Sequence, residues 1–262
     1  MGMEKPHLVV IGNPRRMPEL TDNSVQLVLT NPPYFDVGGC GECSGCLEDF
    51  NDYLKEMQLI FFECHRVLEN GGIICVNICD VVNYKCKYPI PVHYALLLQR
   101  AGFEYRDDLV WRKPSNSESG LRTGLFIQHS SPLTYSPSNI IGHVLVLRKG
   151  TLAKKMPSRA ERQQAMFEIR AIMRLRNQDA GTLQPSIYPQ ELAEALIELY
   201  SYKGETVLDP FAGSGTTTRA AAHLGRRSIG YLSDRSRLPS TTQGSRIAPE
   251  DMRIIEQRRL FE

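Results

Sequence analysis

The stretch "ETVLDPFAGSGTTTRAAAHLG", residues 205–225, decides how this chain is built. Its first part, "ETVLDP" (205–210), is short, apolar and β-branched, and reads as a buried strand. Its last part, "TTTRAAAHLG" (216–225), presents an Ala-rich face and ends on glycine, and reads as a helix. Gly213 and Gly215 lie in the turn between them, where the lack of a Cβ lets a ligand approach the backbone closely. In an open α/β sheet, ligands bind at such turns, beyond the carboxyl ends of the strands. The spacing is not the dinucleotide Gly-x-Gly-x-x-Gly, and the turn lacks the lysine of a phosphate loop. It opens instead with a carboxylate, Asp209. A carboxylate repels phosphate and attracts ammonium, so a ligand such as S-adenosylmethionine, with its ammonium and sulfonium, suits the turn better than a nucleotide phosphate. Taken alone, the same glycines also describe a plain tight connection.

Working outward, further strands are predicted at "HLVVIG" (7–12), "SVQLVLT" (24–30), "IICVNI" (73–78), "RDDLVWRK" (106–113), "HVLVLRK" (143–149) and "RRSIGYL" (226–232). Helices are predicted over 47–68, with "NGG" (70–72) as the stop, over 92–103 and over 188–201. The closing "PEDMRIIEQRRLFE" (249–262) reads as a short surface helix. Alternating strands and helices predict an α/β fold with a doubly wound, mostly parallel sheet covered on both faces. The 262 residues suit one domain, with 42 % hydrophobic residues and core enough to fold without a disulfide or metal staple. No apolar run approaches a membrane span, and the first residues lack a secretory leader. The expected place is the cytoplasm, where the seven cysteines are thiols or metal ligands.

A second motif follows the strand at 24–30. Thr30 leads directly into Asn31, Pro32, Pro33 and Tyr34. The two prolines restrict the turn, Asn31 offers a side-chain carbonyl, and Tyr34 offers an aromatic face. "TNPPY" together with "DPFAGSGTT" resembles the amino-methyltransferases that modify DNA, and the likeness spans about residues 7–232. The tetrapeptide comes before the glycine turn, the order of the permuted, beta-type members. RNA guanine and protein glutamine methyltransferases share a similar tetrapeptide but usually carry the glycine turn first. The resemblance implies a Rossmann-like methyltransferase domain using S-adenosylmethionine on the exocyclic amino group of adenine (N6) or cytosine (N4) in a flipped-out base. It implies that Asn31, Pro32, Pro33 and Tyr34 are catalytic, and that Asp209, Phe211, Gly213, Gly215, Thr216, Tyr188 and Pro189 bind the cofactor. Where the family usually carries an acid for the ribose hydroxyls this chain has Leu232, with Asp234 two residues on as the replacement.

On this reading the catalytic half is 1–113, a small target-recognition insertion covers 114–185, the cofactor half is 186–238 and a tail covers 239–262. The insertion joins a Ser/Pro/Gly-rich loop to a basic stretch. Nine cations fall between Arg148 and Arg176 (148, 149, 154, 155, 159, 162, 170, 174 and 176), opposed only by Glu161 and Glu168. That balance suits a DNA backbone as partner and equally suits a solvated helix face. The resemblance adds a second copy of the chain as a partner, and no membrane. Cys40, Cys43 and Cys46 have spacing compatible with zinc or an iron–sulfur cluster, with Cys64, His65, Cys79 or Cys86 to complete it; their glycines equally describe a mobile loop. Cys64 and Cys75 fall in apolar patterns and are expected in the core. The alternatives to a DNA enzyme are an RNA amino-methyltransferase and a non-catalytic nucleic-acid-binding protein with a metal-bound cysteine loop.

Overall fold

The computed structural model describes residues 5–35, 46–82, 87–112, 141–151, 189–238 and 247–257. In chain order its main strands are β1 (His7–Ile11), β2 (Val25–Thr30), β3 (Leu68–Ile78), a two-stranded ribbon of β4 (Val81–Val82) and β5 (Lys87–Tyr88), then β6 (Phe103–Arg112), β7 (Ile141–Lys149), β8 (Thr206–Asp209), β9 (Arg227–Leu232) and β10 (Met252–Glu256). The helices are α1 (Cys46–Val67), α2 (Ile90–Arg100), α3 (Gln190–Tyr200) and α4 (Thr216–His223). Eight strands form one sheet in the order β10-β1-β9-β8-β2-β3-β7-β6. Neighbours pair in parallel except at β7, which runs antiparallel to both β3 and β6. The expected doubly wound, mostly parallel sheet is present.

Alternate residues of the central strands feed two cores, one on each face. Val28, Ile74, Val76, Leu145 and Leu147 join α1 and α2 through Phe61, Cys64, Tyr94 and Leu98. Leu27, Leu29, Cys75, Val144 and Val146 join α3 and α4 through Leu192, Leu196, Ala220 and Ala221. This is why the strands read as continuous apolar runs: both faces are covered. Cys64 and Cys75 are fully buried, as expected of small core residues, and burial pushes both thiols up.

Three local readings need correction. The "NGG" motif does not end α1. The helix stops at Val67 and β3 begins at Leu68, with the glycines in an irregular stretch where the β2–β3 register jumps between Leu68 and Ile73. Lys149 caps the helix end, its ammonium donating to the carbonyls of His65 (2.6 Å) and Arg66 (3.3 Å) and to that of Leu68 (2.7 Å) at the start of β3. A cation at a helix C-terminus meets carbonyls that no intrahelical donor reaches.

The closing segment is not a surface helix either. Pro249–Asp251 makes one 3₁₀ turn, and Met252–Glu256 then adds a parallel strand to β1. An acidic Pro-Glu-Asp start imitates a helix N-terminus. The outcome is set by the edge of β1, unpaired on that side without it, and by the β-branched Ile254 and Ile255.

The basic stretch also divides. Arg148 pairs with Glu104 at 2.6 Å and Lys149 serves α1, so these two cations hold the fold together. The other seven, from Lys154 to Arg176, lie outside the described residues, as does the insertion from 114 to 140 and from 152 to 185.

Candidate active site

The sheet brings the two motifs side by side. β8 and β2 are neighbours, yet the helices that follow them leave on opposite faces: α4 joins one core and α1 the other. The winding therefore reverses between β8 and β2, and a crevice opens at their carboxyl ends. Both the Asn31–Tyr34 turn and the Phe211–Gly215 turn emerge there.

The Asp209 side chain joins them. The carboxylate of Asp209, only 3 % exposed, accepts on Oδ1 from the Thr30 hydroxyl (2.6 Å) and the Phe211 amide (3.0 Å), and on Oδ2 from the Thr217 hydroxyl (2.7 Å). Burial raises its pKa above the ordinary carboxylate value, and the three donors pull it back. The glycine turn is then shaped by its own backbone. Gly213 and Gly215 hold φ values of +44° and +76°, which side-chain-bearing residues rarely adopt. Ala212 donates to the Tyr231 carbonyl at 3.0 Å, which lays the turn on β9. Gly230 permits that approach, since a Cβ there would sit 2.7 Å from the Ala212 Cβ. Arg219 reaches back from α4 to the Ser214 carbonyl at 2.5 Å, and the Ser214 and Thr216 hydroxyls lie 3.2 Å apart. Phe211 is half-buried against the core on the α1 side. Pro189 stands immediately before α3 and accepts from the Ala193 amide at 3.3 Å; Tyr188 lies outside the described residues.

The tetrapeptide turn is held from the opposite side. Asn77 Nδ2 donates to Asn31 Oδ1 at 2.9 Å, and Asn77 Oδ1 accepts from the Trp111 indole at 2.9 Å. The Tyr53 hydroxyl donates to the Pro33 carbonyl at 3.0 Å and meets the Tyr94 hydroxyl at 2.5 Å. Pro32 is buried, Pro33 is exposed and Tyr34 is half-buried. Burial, with Cys79 as the next cause, raises the Tyr34 phenol far above its ordinary value, so it stays neutral. Phe35 closes the turn inside a ring cluster with Phe50 (5.2 Å) and Tyr88 (5.4 Å). Tyr53, Asn77 and Trp111 are the site-forming residues that the motifs do not announce, and Thr30 stands within the first motif with no site role legible in the sequence. The one available signal is a polar residue, Asn77, inside an apolar strand.

Asp234 is exposed and caps a 3₁₀ turn at Arg235–Arg237, its Oδ1 accepting from the Ser236 amide at 2.7 Å and from the Ser236 hydroxyl. Those bonds hold its carboxyl below the ordinary range. Leu232 is buried with Val9, Ala212 and Met252. Cys40, Cys43 and Cys86 lie outside the described residues, and Cys46 opens α1 with its side chain undescribed. Among the described residues, no three His, Cys, Asp or Glu side chains gather to hold a metal ion.

The sequence profile of a family described as DNA methylase matches residues 25–243. The chain belongs to the DNA methylase family. Its curated relatives include the type II methyltransferase M.MjaI of Methanocaldococcus jannaschii, 30 % identical with 89 % of each chain covered. They also include M.MthZI of Methanothermobacter thermautotrophicus, 28 % identical over 88 % of this chain and 74 % of that one. Among solved structures, a DNA modification methylase of Thermus thermophilus, TTHA0409, complexed with S-adenosyl-L-methionine, is similar at 25 % identity, with a TM-score of 0.67 and 96 % and 99 % of the two chains covered. The cytosine-N4-specific PvuII DNA methyltransferase shares the fold at 15 % identity and a TM-score of 0.62. In this DNA methylase the two turns that carry the family likeness are therefore tied to one another by Thr30 and Asp209.

Proposed function

We propose that this DNA methylase transfers a methyl group from S-adenosylmethionine to the exocyclic amino group of adenine (N6) or cytosine (N4), on a base turned out of the duplex. The observation that carries the reading is the Thr30–Asp209 hydrogen bond, which fixes an amine-recognising turn against a glycine turn at the switch point of the sheet. The donor set suits the cofactor: a carboxylate at the root of the turn, backbone bared at Gly213 and Gly215, and a phenyl ring at Phe211. Thr216 and Pro189, with Tyr188, flank the same turn in the proposal, and Asp234 takes the ribose hydroxyls from its exposed cap position. Because Asp209 is buried and braced, it acts on a bound ammonium through its charge and through the turn it shapes.

When bound, S-adenosylmethionine supplies an already activated methyl donor, so the protein's work is positioning. The lone pair of an exocyclic amine is delocalised into the base. Asn31 Oδ1 and the Pro32 carbonyl each accept one amine hydrogen, which favours a pyramidal, more nucleophilic nitrogen. Tyr34, held neutral, offers its ring to the flipped base and offsets part of the cost of unstacking it. Asn in the first position of the tetrapeptide favours adenine over cytosine, by likeness to adenine enzymes. Residues 114–185 are the proposed target-recognition insertion of a single domain, positioned by phosphate contacts from its basic end. The proposed location is the cytoplasm.

Purified protein incubated with labelled S-adenosylmethionine and mixed-sequence DNA is expected to label DNA, with nucleoside digestion identifying the base. A parallel RNA substrate tests the RNA reading. Leu232 in the usual place of an acid motivates a second reading, a non-catalytic nucleic-acid-binding protein. Calorimetry with S-adenosylmethionine separates the two, since that descendant shows no binding heat.

A further inference from the structure

Asn77 lies on β3, between β2 and β7, and is 3 % exposed in the otherwise apolar run Ile73–Ile78. A buried amide is tolerated only when it is hydrogen-bonded. Its two ends meet different partners: Nδ2 donates to Asn31 Oδ1, and Oδ1 accepts from Trp111 Nε1, both at 2.9 Å. An amide turned by 180° keeps its shape and exchanges donor for acceptor. The indole N–H can only donate, so it determines which end of Asn77 carries the oxygen. Asn77 then determines which end of Asn31 carries the oxygen.

The indole itself has a made place. Trp111 on β6 stands opposite Gly142 on β7, where a Cβ would come within 2.3 Å of the indole nitrogen. Any larger residue at 142 displaces the group that orients the two amides.

We infer that Asn77 is a positioning residue for Asn31, its own orientation set by the Trp111 indole in the space that Gly142 leaves. The inference rests on the proposed function, in which Asn31 Oδ1 faces the target amine. With the relay intact an acceptor meets the amine hydrogens. With Asn31 turned over, an NH2 group faces another NH2 group and the transfer geometry is lost. The relay never touches substrate, so it acts on turnover and leaves cofactor affinity alone.

Trp111→Phe keeps a buried aromatic ring but removes the donor along with some ring volume, which the melting temperature reads separately; Asn77→Leu removes both bonds; Gly142→Ala crowds the indole. For each, kcat, the KM for S-adenosylmethionine and the melting temperature are measured. In parallel, NMR follows the side-chain amide of Asn31 and the indole N–H, which gives one signal because the chain has one tryptophan. The relay predicts a fall in kcat of about tenfold or more in Trp111→Phe with the KM unchanged. It also predicts a shifted Asn31 amide in Trp111→Phe and a shifted indole signal in Asn77→Leu. An unchanged kcat overturns it, as does a joint loss of kcat and cofactor affinity that follows stability, the mark of a merely structural role. If the unsubstituted protein labels no DNA, the functional reading falls. The NMR signals then decide the relay by themselves, and an unmoved Asn31 amide overturns it.

Discussion

Asp209 shows how one buried charge serves two ends. It accepts from Thr30 on one motif and from Phe211 and Thr217 on the other, at 2.6–3.0 Å. Its raised pKa means that the folded protein holds this proton more tightly than the unfolded chain does. The stability this gives is full below the ordinary value of 3.8 and is lost as pH rises through the folded pKa. Asp209→Asn removes the titration while keeping a polar group that the two threonine hydroxyls can still bond. Its stability relative to the parent, measured by urea unfolding across pH 3.8 and above, is therefore expected to rise with pH. A pH-independent difference contradicts the assignment. Asn31→Ala makes a separate residue-scale case. Methyl transfer is expected to vanish while cofactor affinity, read by calorimetry, stays nearly unchanged; equal loss of both contradicts its role at the amine.

At the scale of elements, close contacts and caps carry the predictions. Gly230→Ala places a methyl 2.7 Å from the Ala212 Cβ and must push the glycine turn off β9. A cost of about 1–3 kcal/mol in stability is expected, with weaker cofactor binding alongside. Normal binding at normal stability means the turn tolerates the shift. Lys149→Met withdraws the ammonium from the end of α1, and a loss of roughly 1–2 kcal/mol is expected in urea unfolding. The salt dependence of DNA binding is expected to stay as it was, because this cation faces the helix end; a changed slope places it on DNA after all. Elements were legible where period and punctuation agreed. The strands running into Asn31 and Asp209 and the Ala-rich α4 sit where their patterns put them. The two misread ends were decided at a distance. β10 covers the edge that β1 would otherwise leave unpaired, and the end of α1 is capped by Lys149, more than eighty residues away in the chain. No local window contains either partner.

For the whole molecule, the same division holds for the site. The two turns were legible because each is a compact motif at the end of a strand. Their joining bond spans 179 residues, and the Asn77–Trp111 contact pairs side chains from separate strands, so neither has a local signature. What the fold adds is the reversal of winding between β8 and β2, which turns two separate motifs into one crevice. The basic residues from Lys154 to Arg176 extend the account to DNA. Replacing Lys154 and Lys155 by alanine together is expected to weaken binding to all DNA sequences alike and to lower the salt slope by up to about 2. A loss confined to one sequence contradicts a phosphate role. The central claim is methyl transfer to a base amine in DNA, and the most direct measurement is the product. The parent protein and Asn31→Ala are each incubated with labelled S-adenosylmethionine and mixed-sequence DNA, and the DNA is digested to nucleosides. The account predicts label in N6-methyladenine or N4-methylcytosine with the parent and none with Asn31→Ala. Unlabelled DNA from a parent protein that binds the cofactor, or label undiminished in Asn31→Ala, contradicts it.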